Sequence, residues 1–308
     1  MSAMKFKVAE HIFDIAGIEL YTAVAAKLDG PYHPFKVTAE CISEDEKQLF
    51  RLTLCEDNQN EEATLVYSNK GIAEPGFITL SVYKNESGHY FEFTQPGSEV
   101  VNGKLWISAD YREANLSLAG SNHAQWLTFN TGVSFCYLLA TAKQNTVLAH
   151  ASCVRYKDKA YLFLGKSGTG KSTHSRMWLN VLDNVILMND DHPVIRANNK
   201  GQVIAYGSPW SGKTPCYKNI QAPIGGIIRI SRAPYNKARR LSAIESYASL
   251  MTSLSGLTWE KELADGRDMT LQEIIKSVPC WVMECLPNEE AARVCSKVVA
   301  EEQTCKSV

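Results

Sequence analysis

The sequence predicts an α+β chain of two domains, a mainly antiparallel β domain over residues 1–125 followed by an α/β domain over residues 126–308. Three observations carry this prediction. Short β-rich segments follow one another through the first half, divided by turn residues. Near residue 121 the apolar spacing becomes helical. Beyond that point strands alternate with helices around a glycine-rich turn, the pattern of a layered α/β domain.

In the first half, "ATLVYS", "FITLSVY", "HYFEF", "KLWIS" and "ANLSLAG" are separated by Asn, Gly, Asp and Pro and read as an antiparallel meander with no catalytic pattern. The charge runs "SEDEKQ" and "CEDNQNEE" read as solvated loops. The segment "SNHAQWLTFNTGVSFCYLLATAKQ" then carries Val133, Cys136, Tyr137, Leu138 and Ala140 at helical spacing. Next come a strand "TVLAHASCVRY", a turn at "KDK", the strand "AYLFL", a glycine loop, a helix "KSTHSRMWLNVL" and the strand "VILM". Met177, Trp178, Val181 and Leu182 form one stripe of that helix, suited to packing on a sheet. "NEEAARVCSKVVAEEQ" reads as a closing amphipathic helix with Asn288 as its N-cap.

Composition narrows the classes of function. With 45% apolar and 21% charged residues a core of ordinary size can form. The net charge of −1 gives no basic excess for nucleic acid or an anionic membrane, so neither is an expected partner. No apolar run reaches the roughly 20 residues that cross a bilayer. The opening segment lacks the apolar core of a secretion signal, so a cytoplasmic location is expected. The nine cysteines are odd in number and contain no C-x-x-C, so they read as scattered small apolar residues in a reducing compartment.

The chemistry concentrates in the glycine loop. Gly165, Lys166, Ser167, Gly168, Thr169, Gly170, Lys171 and Ser172 fit G-x-x-x-x-G-K-[ST] at every specified position, with Thr173 next in the helix. Glycines allow successive backbone N–H groups to converge on one anion, and the following helix adds its free N–H groups and positive end. Lys171 supplies a mobile positive charge for the β- and γ-phosphates, and the Ser172 hydroxyl is a hard oxygen ligand for Mg²⁺. A right-handed crossover would set "AYLFL" and "VILM" parallel and bring Asp190 and Asp191 of "LMNDDHPVI" beside the loop. One carboxylate can then hold Mg²⁺ while the other takes a hydroxyl proton. Without that context the pair is an ordinary acidic turn.

"FLGKSGTGKST" followed by a D-D pair resembles the HPr kinase/phosphorylase and phosphoenolpyruvate carboxykinase superfamily, as do "LAHASCV" (148–154) and "NDDH". "YGSPWSGK" (206–213) is similar to a segment of uncharacterised bacterial HPr-kinase-like proteins, and the match covers roughly residues 146 to 232. The resemblance implies an ATP- and Mg²⁺-dependent phosphotransferase with a P-loop domain of that type. Lys171 and the loop amides would hold the phosphates, Ser172 and Asp190 the metal. Asp191 would be the general base and His150 its supporting histidine. Lys213, Arg229 and Arg232 would contact a phosphate or an acidic acceptor, although each alone also reads as a surface charge. A nucleotide is the implied partner, with a protein serine or a small metabolite as acceptor, and a homo-oligomer stays open. The alternatives are a catalytically weak nucleotide-binding regulatory module and a carboxykinase-like enzyme. "NNKGQ" (198–202) lacks the aspartate of a guanine-reading motif.

Overall fold

One hairpin opens the first sheet of the computed structural model, which describes residues 3–43, 45–56, 62–70, 78–96, 98–198, 200–256 and 259–301. Most of the "CEDNQNEE" run, and Asn199 within "NNKGQ", lie outside the described residues. The chain divides into two units, Met1–Thr141 and Ala142–Val308. The division therefore falls at Thr141 and not at residue 125.

The first unit contains β1 (Ala3–Val8), β2 (His11–Ala16), α1 (Thr22–Leu28), β3 (Lys36–Val37), β4 (Gln48–Leu54), β5 (Thr64–Ser68), β6 (Thr79–Lys84), β7 (Gly88–Thr94), β8 (Val101–Ser108), β9 (Glu113–Leu118) and α2 (Asn122–Thr141). Its strand order is β3-β1-β2-β4-β9-β8-β7-β6-β5. The expected antiparallel meander is there from β5 to β9, but β2–β4 and β4–β9 pair in parallel. The helix α2 belongs to this unit because it covers one sheet face: Phe135 lies 5.6 Å from Phe91 and 5.8 Å from Phe93, ring to ring. Gly132 permits the close approach, since a Cβ there would sit 2.9 Å from Leu116 Cδ2. At the other end of the sheet Phe13 stacks on Phe50 at 4.8 Å.

The second unit contains β10 (Thr146–Leu148), β11 (Ala151–Tyr156), β12 (Lys159–Leu164), α3 (Lys171–Val181), β13 (Ile186–Asn189), β14 (Val194–Ala197), β15 (Val203–Tyr206), β16 (Gln221–Arg232), β17 (Lys237–Arg240), α4 (Ala243–Met251), α5 (Lys261–Ser277), β18 (Cys280–Cys285) and α6 (Glu289–Ser296). The main strand path is β10-β14-β15-β16-β12-β11-β13, with β18 beside β16 and β17 beside β18. Both faces are covered, which explains why "AYLFL" is apolar without alternation. Leu162 and Leu164 face a core with Leu250, Leu271 and Ile274 of the α4–α5 layer. Tyr161 and Phe163 face the opposite core with Met177, Trp178, Ala291 and Cys295 of the α3–α6 layer. Asn288 caps α6 by accepting from the Ala291 amide, as the sequence predicts.

The predicted crossover is corrected in one respect. β12 and β13 are not neighbours, because β11 lies between them, antiparallel to both. The strands still run the same way and end on the same edge. The single strand predicted over "TVLAHASCVRY" is broken: β10 pairs with β14, β11 pairs with β12, and Ala149 bridges Leu254 at the junction. Among the described residues eight cysteines are free and none is bridged. No helix among them is long and apolar enough to cross a membrane.

Candidate functional site

The glycine loop joins β12 to α3, as its sequence requires. Gly168 and Gly170 take φ of 75° and 113°, the left-handed region that other residues avoid. The Thr169 amide and hydroxyl donate to Lys166 O at 3.2 and 2.8 Å, closing the turn from within. Arg232, at the end of β16, donates to Gly168 O and ties the loop to the neighbouring strand. Ser172 and Thr173 occupy the first turn of α3.

Lys171 is folded back over this loop. Its ammonium donates to Gly165 O at 3.0 Å and meets His150 Nε2 at 2.9 Å. Burial pulls its pKa below the ordinary lysine value, and the Arg229 charge works in the same direction against Asp191 and Asp190.

His150 sits in the break between β10 and β11, its amide donating to Ser253 O at 2.7 Å. Because β11 runs antiparallel, its beginning lies at the edge where β12 and β13 end. The ring therefore stands between the loop and the acidic pair. His150 Nδ1 lies 3.1 Å from Asp191 Oδ1, and His192 Nδ1 lies 3.1 Å from Asp191 Oδ2. A lysine donor on Nε2 selects the tautomer with the proton on Nδ1, which then donates to Asp191. Burial raises the Asp191 pKa, but the hydrogen bonds from His150 and His192 outweigh it and hold the carboxyl well below the usual range.

Asp190 points away from this chain of contacts. It is buried and accepts from Ser152 Oγ at 2.7 Å, while Ser152 Oγ lies 2.5 Å from Ser175 Oγ of α3. Adjacent carboxylates thus have different surroundings, one bonded by the Ser152 hydroxyl and one by two imidazoles.

Fully buried Asn189 sets the backbone of the pair. Its Oδ1 accepts from the Asp191 and His192 amides at 2.9 and 2.8 Å. Its Nδ2 donates to Ser208 Oγ at 3.1 Å and to Ser208 O and Trp210 O at 3.3 Å. Ser208 Oγ in turn donates to His192 O at 2.6 Å. "YGSPWSGK" is thereby clamped against "NDDH". Gly212 allows the contact, since a Cβ there would lie 3.2 Å from Asp191 Cβ and Cγ. The next residue, Lys213, is exposed.

Arg229 aligns with Leu164 across the β16–β12 pairing, at the base of the loop. It donates to Ser249 Oγ at 2.6 Å, Thr252 Oγ1 at 2.8 Å and Ser253 Oγ at 3.1 Å, and also to Ser249 O. All are neutral oxygens of the α4 terminus, and among the described residues no carboxylate pairs with it. Burial lowers its pKa.

One edge of the sheet therefore gathers Lys171, His150, Asp190, Asp191, Arg229 and Arg232. Asn189, His192 and Ser152 join them with no role predicted from sequence. For His192 the signal was its place directly after the acidic pair. His150, Asp191 and His192 offer two imidazole nitrogens and a carboxylate within 4.8 Å of one another. That mixed donor set fits a divalent transition metal, whereas the oxygens of Ser172 and Asp190 suit Mg²⁺ by chemistry.

No protein-family model matches the chain, and no curated protein matches it. Among solved structures it is similar to the Hpr(Ser) kinase/phosphatase from Coxiella burnetii, at a TM-score of 0.31 and 11% identity over 51% of this chain and 90% of that one.

Proposed function

We propose that this chain is an ATP- and Mg²⁺-dependent phosphotransferase of the HPr kinase type, moving the γ-phosphoryl group to a hydroxyl of a protein serine or a small metabolite. The observation that carries the reading is the contact of Lys171 Nζ with His150 Nε2 at 2.9 Å, joined to Asp191 through the opposite ring nitrogen at 3.1 Å. A phosphate-gripping lysine and a carboxylate fixed in its ionised form share one imidazole.

Lys171 leaves Gly165 O for the β- and γ-phosphates, and the loop amides receive the remaining charge. Asp191 orients the acceptor hydroxyl. As the bond from γ-phosphorus to the ADP oxygen breaks and the bond to the acceptor oxygen forms, the acceptor proton passes to Asp191. A weakly basic carboxylate suffices because bond making lags bond breaking in a loose transition state. A bound Mg²⁺, held by Ser172 and Asp190, would neutralise charge on the transferring group. Arg229, whose partners among the described residues are neutral, and exposed Lys213 are candidate cations for an acidic acceptor.

The test is transfer of label from γ-labelled ATP with Mg²⁺, alone and with size-sorted cell extract, by wild type, Lys171→Ala and Asp191→Asn. Label on a protein or metabolite that both variants fail to produce supports the kinase. Tight ATP binding with neither transfer nor hydrolysis would leave a nucleotide-held regulatory module.

A further inference from the structure

Asp190 is only 8% exposed, yet among the described residues its hydrogen-bond donor is a single hydroxyl, Ser152 Oγ at 2.7 Å. Oδ1 receives that bond, which leaves Oδ2 for a group from outside the chain. A carboxylate taken out of water ordinarily pairs with a cation or binds a metal, because one neutral hydroxyl does not replace its hydration. The Lys171 charge acts on Asp190 from a distance, but the ammonium itself bonds Gly165 O and meets His150.

Behind Ser152 stands a second hydroxyl. Ser152 of β11 and Ser175 of α3 are both buried, and their Oγ atoms lie 2.5 Å apart. A serine hydroxyl has one proton. With the Ser152 proton given to Asp190, the short contact takes the proton of Ser175. Ser175 Oγ also lies 3.3 Å from Lys171 O, the oxygen of its own helix that would otherwise receive it. The result is a directed chain, Ser175 to Ser152 to Asp190 Oδ1, in which each donation strengthens the next.

This chain ties the carboxylate to the helix that follows the glycine loop. Ser172 precedes Ser175 by three residues, so the two stand on one face of α3, with Ser172 a turn nearer the loop. Neutral donors orient a carboxylate without offsetting its charge, as a metal ligand requires. We infer that Ser152 is a positioning residue for the metal of the proposed kinase: it holds Asp190 by Oδ1, on a proton supplied from α3 by Ser175, and leaves Oδ2 for the Mg²⁺ shared with Ser172. This rests on the reading of Asp190 and Ser172 as the metal oxygens.

The test is calorimetric titration of the full chain with ATP, in EDTA and in excess Mg²⁺. It compares wild type with Ser152→Ala, Ser175→Ala, Asp190→Asn and the double variant Ser152→Ala, Asp190→Asn. Wild type should bind ATP at least about tenfold tighter in Mg²⁺. Ser152→Ala should remove most of that gain, while affinity in EDTA stays within about threefold. Ser175→Ala keeps the Ser152–Asp190 bond and should remove a smaller part, which carries the test should Ser152→Ala not fold. Asp190→Asn should remove the whole gain, and Ser152→Ala should then add nothing, since it acts through the carboxylate. A gain that survives both serine variants overturns the positioning role while the metal and nucleotide readings stand. So does an equal loss of affinity in EDTA and in Mg²⁺, which marks a merely structural serine. If wild type binds ATP equally with and without Mg²⁺, the metal reading fails and this inference with it. If wild type binds no ATP, the nucleotide reading itself fails.

Discussion

Lys171 and Asp191 are held by the two nitrogens of one ring, His150, at 2.9 and 3.1 Å. Substituting His150→Phe keeps a planar side chain and removes both bonds. In the proposed kinase, turnover should fall about 10²-fold or more, within the range for groups that support proton transfer. ATP affinity should change by less than about threefold. Single-turnover label transfer beside equilibrium binding separates the two, and a loss confined to binding would contradict the proposed link.

Asp191→Asn should abolish measurable transfer while nucleotide binding persists. The same variant has a pH signature in stability. Because the native carboxyl is held below its unfolded value, its contribution is fully present above about pH 4 and is lost as pH falls further. In urea melts wild type should therefore exceed Asp191→Asn at pH 7, with the difference shrinking towards pH 3. A difference that grows on acidification would reverse the sign of this argument.

Gly212→Ala brings a methyl group to 3.2 Å from Asp191 Cβ and Cγ. That distance forces a displacement of a few tenths of an ångström without unfolding the loop. Activity should drop about tenfold or more for a stability loss of about 1 kcal/mol. Thermal melts run beside transfer assays read the two effects apart.

Asn189→Ala removes the acceptor of the Asp191 amide, while the His192 amide keeps Trp210 O at 3.2 Å and Ser208 Oγ keeps His192 O. A buried polar group left unsatisfied costs about 1–3 kcal/mol, so a loss of about that size is expected. Asn189→Asp keeps the acceptor oxygen but loses the donors, and should not rescue stability in urea melts.

Trp178→Ala removes a fully buried indole that packs 5.3 Å from both Tyr161 and Phe163, ring to ring. The expected cost is about 3–5 kcal/mol, read from urea melts. His174 loses the N–H that holds its Nε2 in the same change.

The glycine loop was legible because its backbone needs glycine at Gly168 and Gly170, and the Met177–Trp178 stripe because a helix on a sheet must repeat that way. Other features left weaker marks. The β1–β2 hairpin turns on Ala9 and Glu10 with φ of 47° and 67°, residues that announce no turn. "TVLAHASCVRY" reads as continuous because its break at His150 is imposed by Leu254 and Ser253, far along the chain. "KDK" announced a turn, but the placing of β11 between β12 and β13 depends on sheet register, which local spacing does not encode. Asn189 and Ser152 look like ordinary polar residues beside strands until their partners are brought to them.

The reversed strand β11 also acts as a spacer. Neighbouring strands lie about 4.8 Å apart, so one strand inserted between β12 and β13 sets their ends about 10 Å apart. Directly adjacent parallel strands would leave about half of that. In the proposed kinase, the separation of loop and carboxylate would thus follow from the order of strands, with His150 standing at the mouth of the spacer between them.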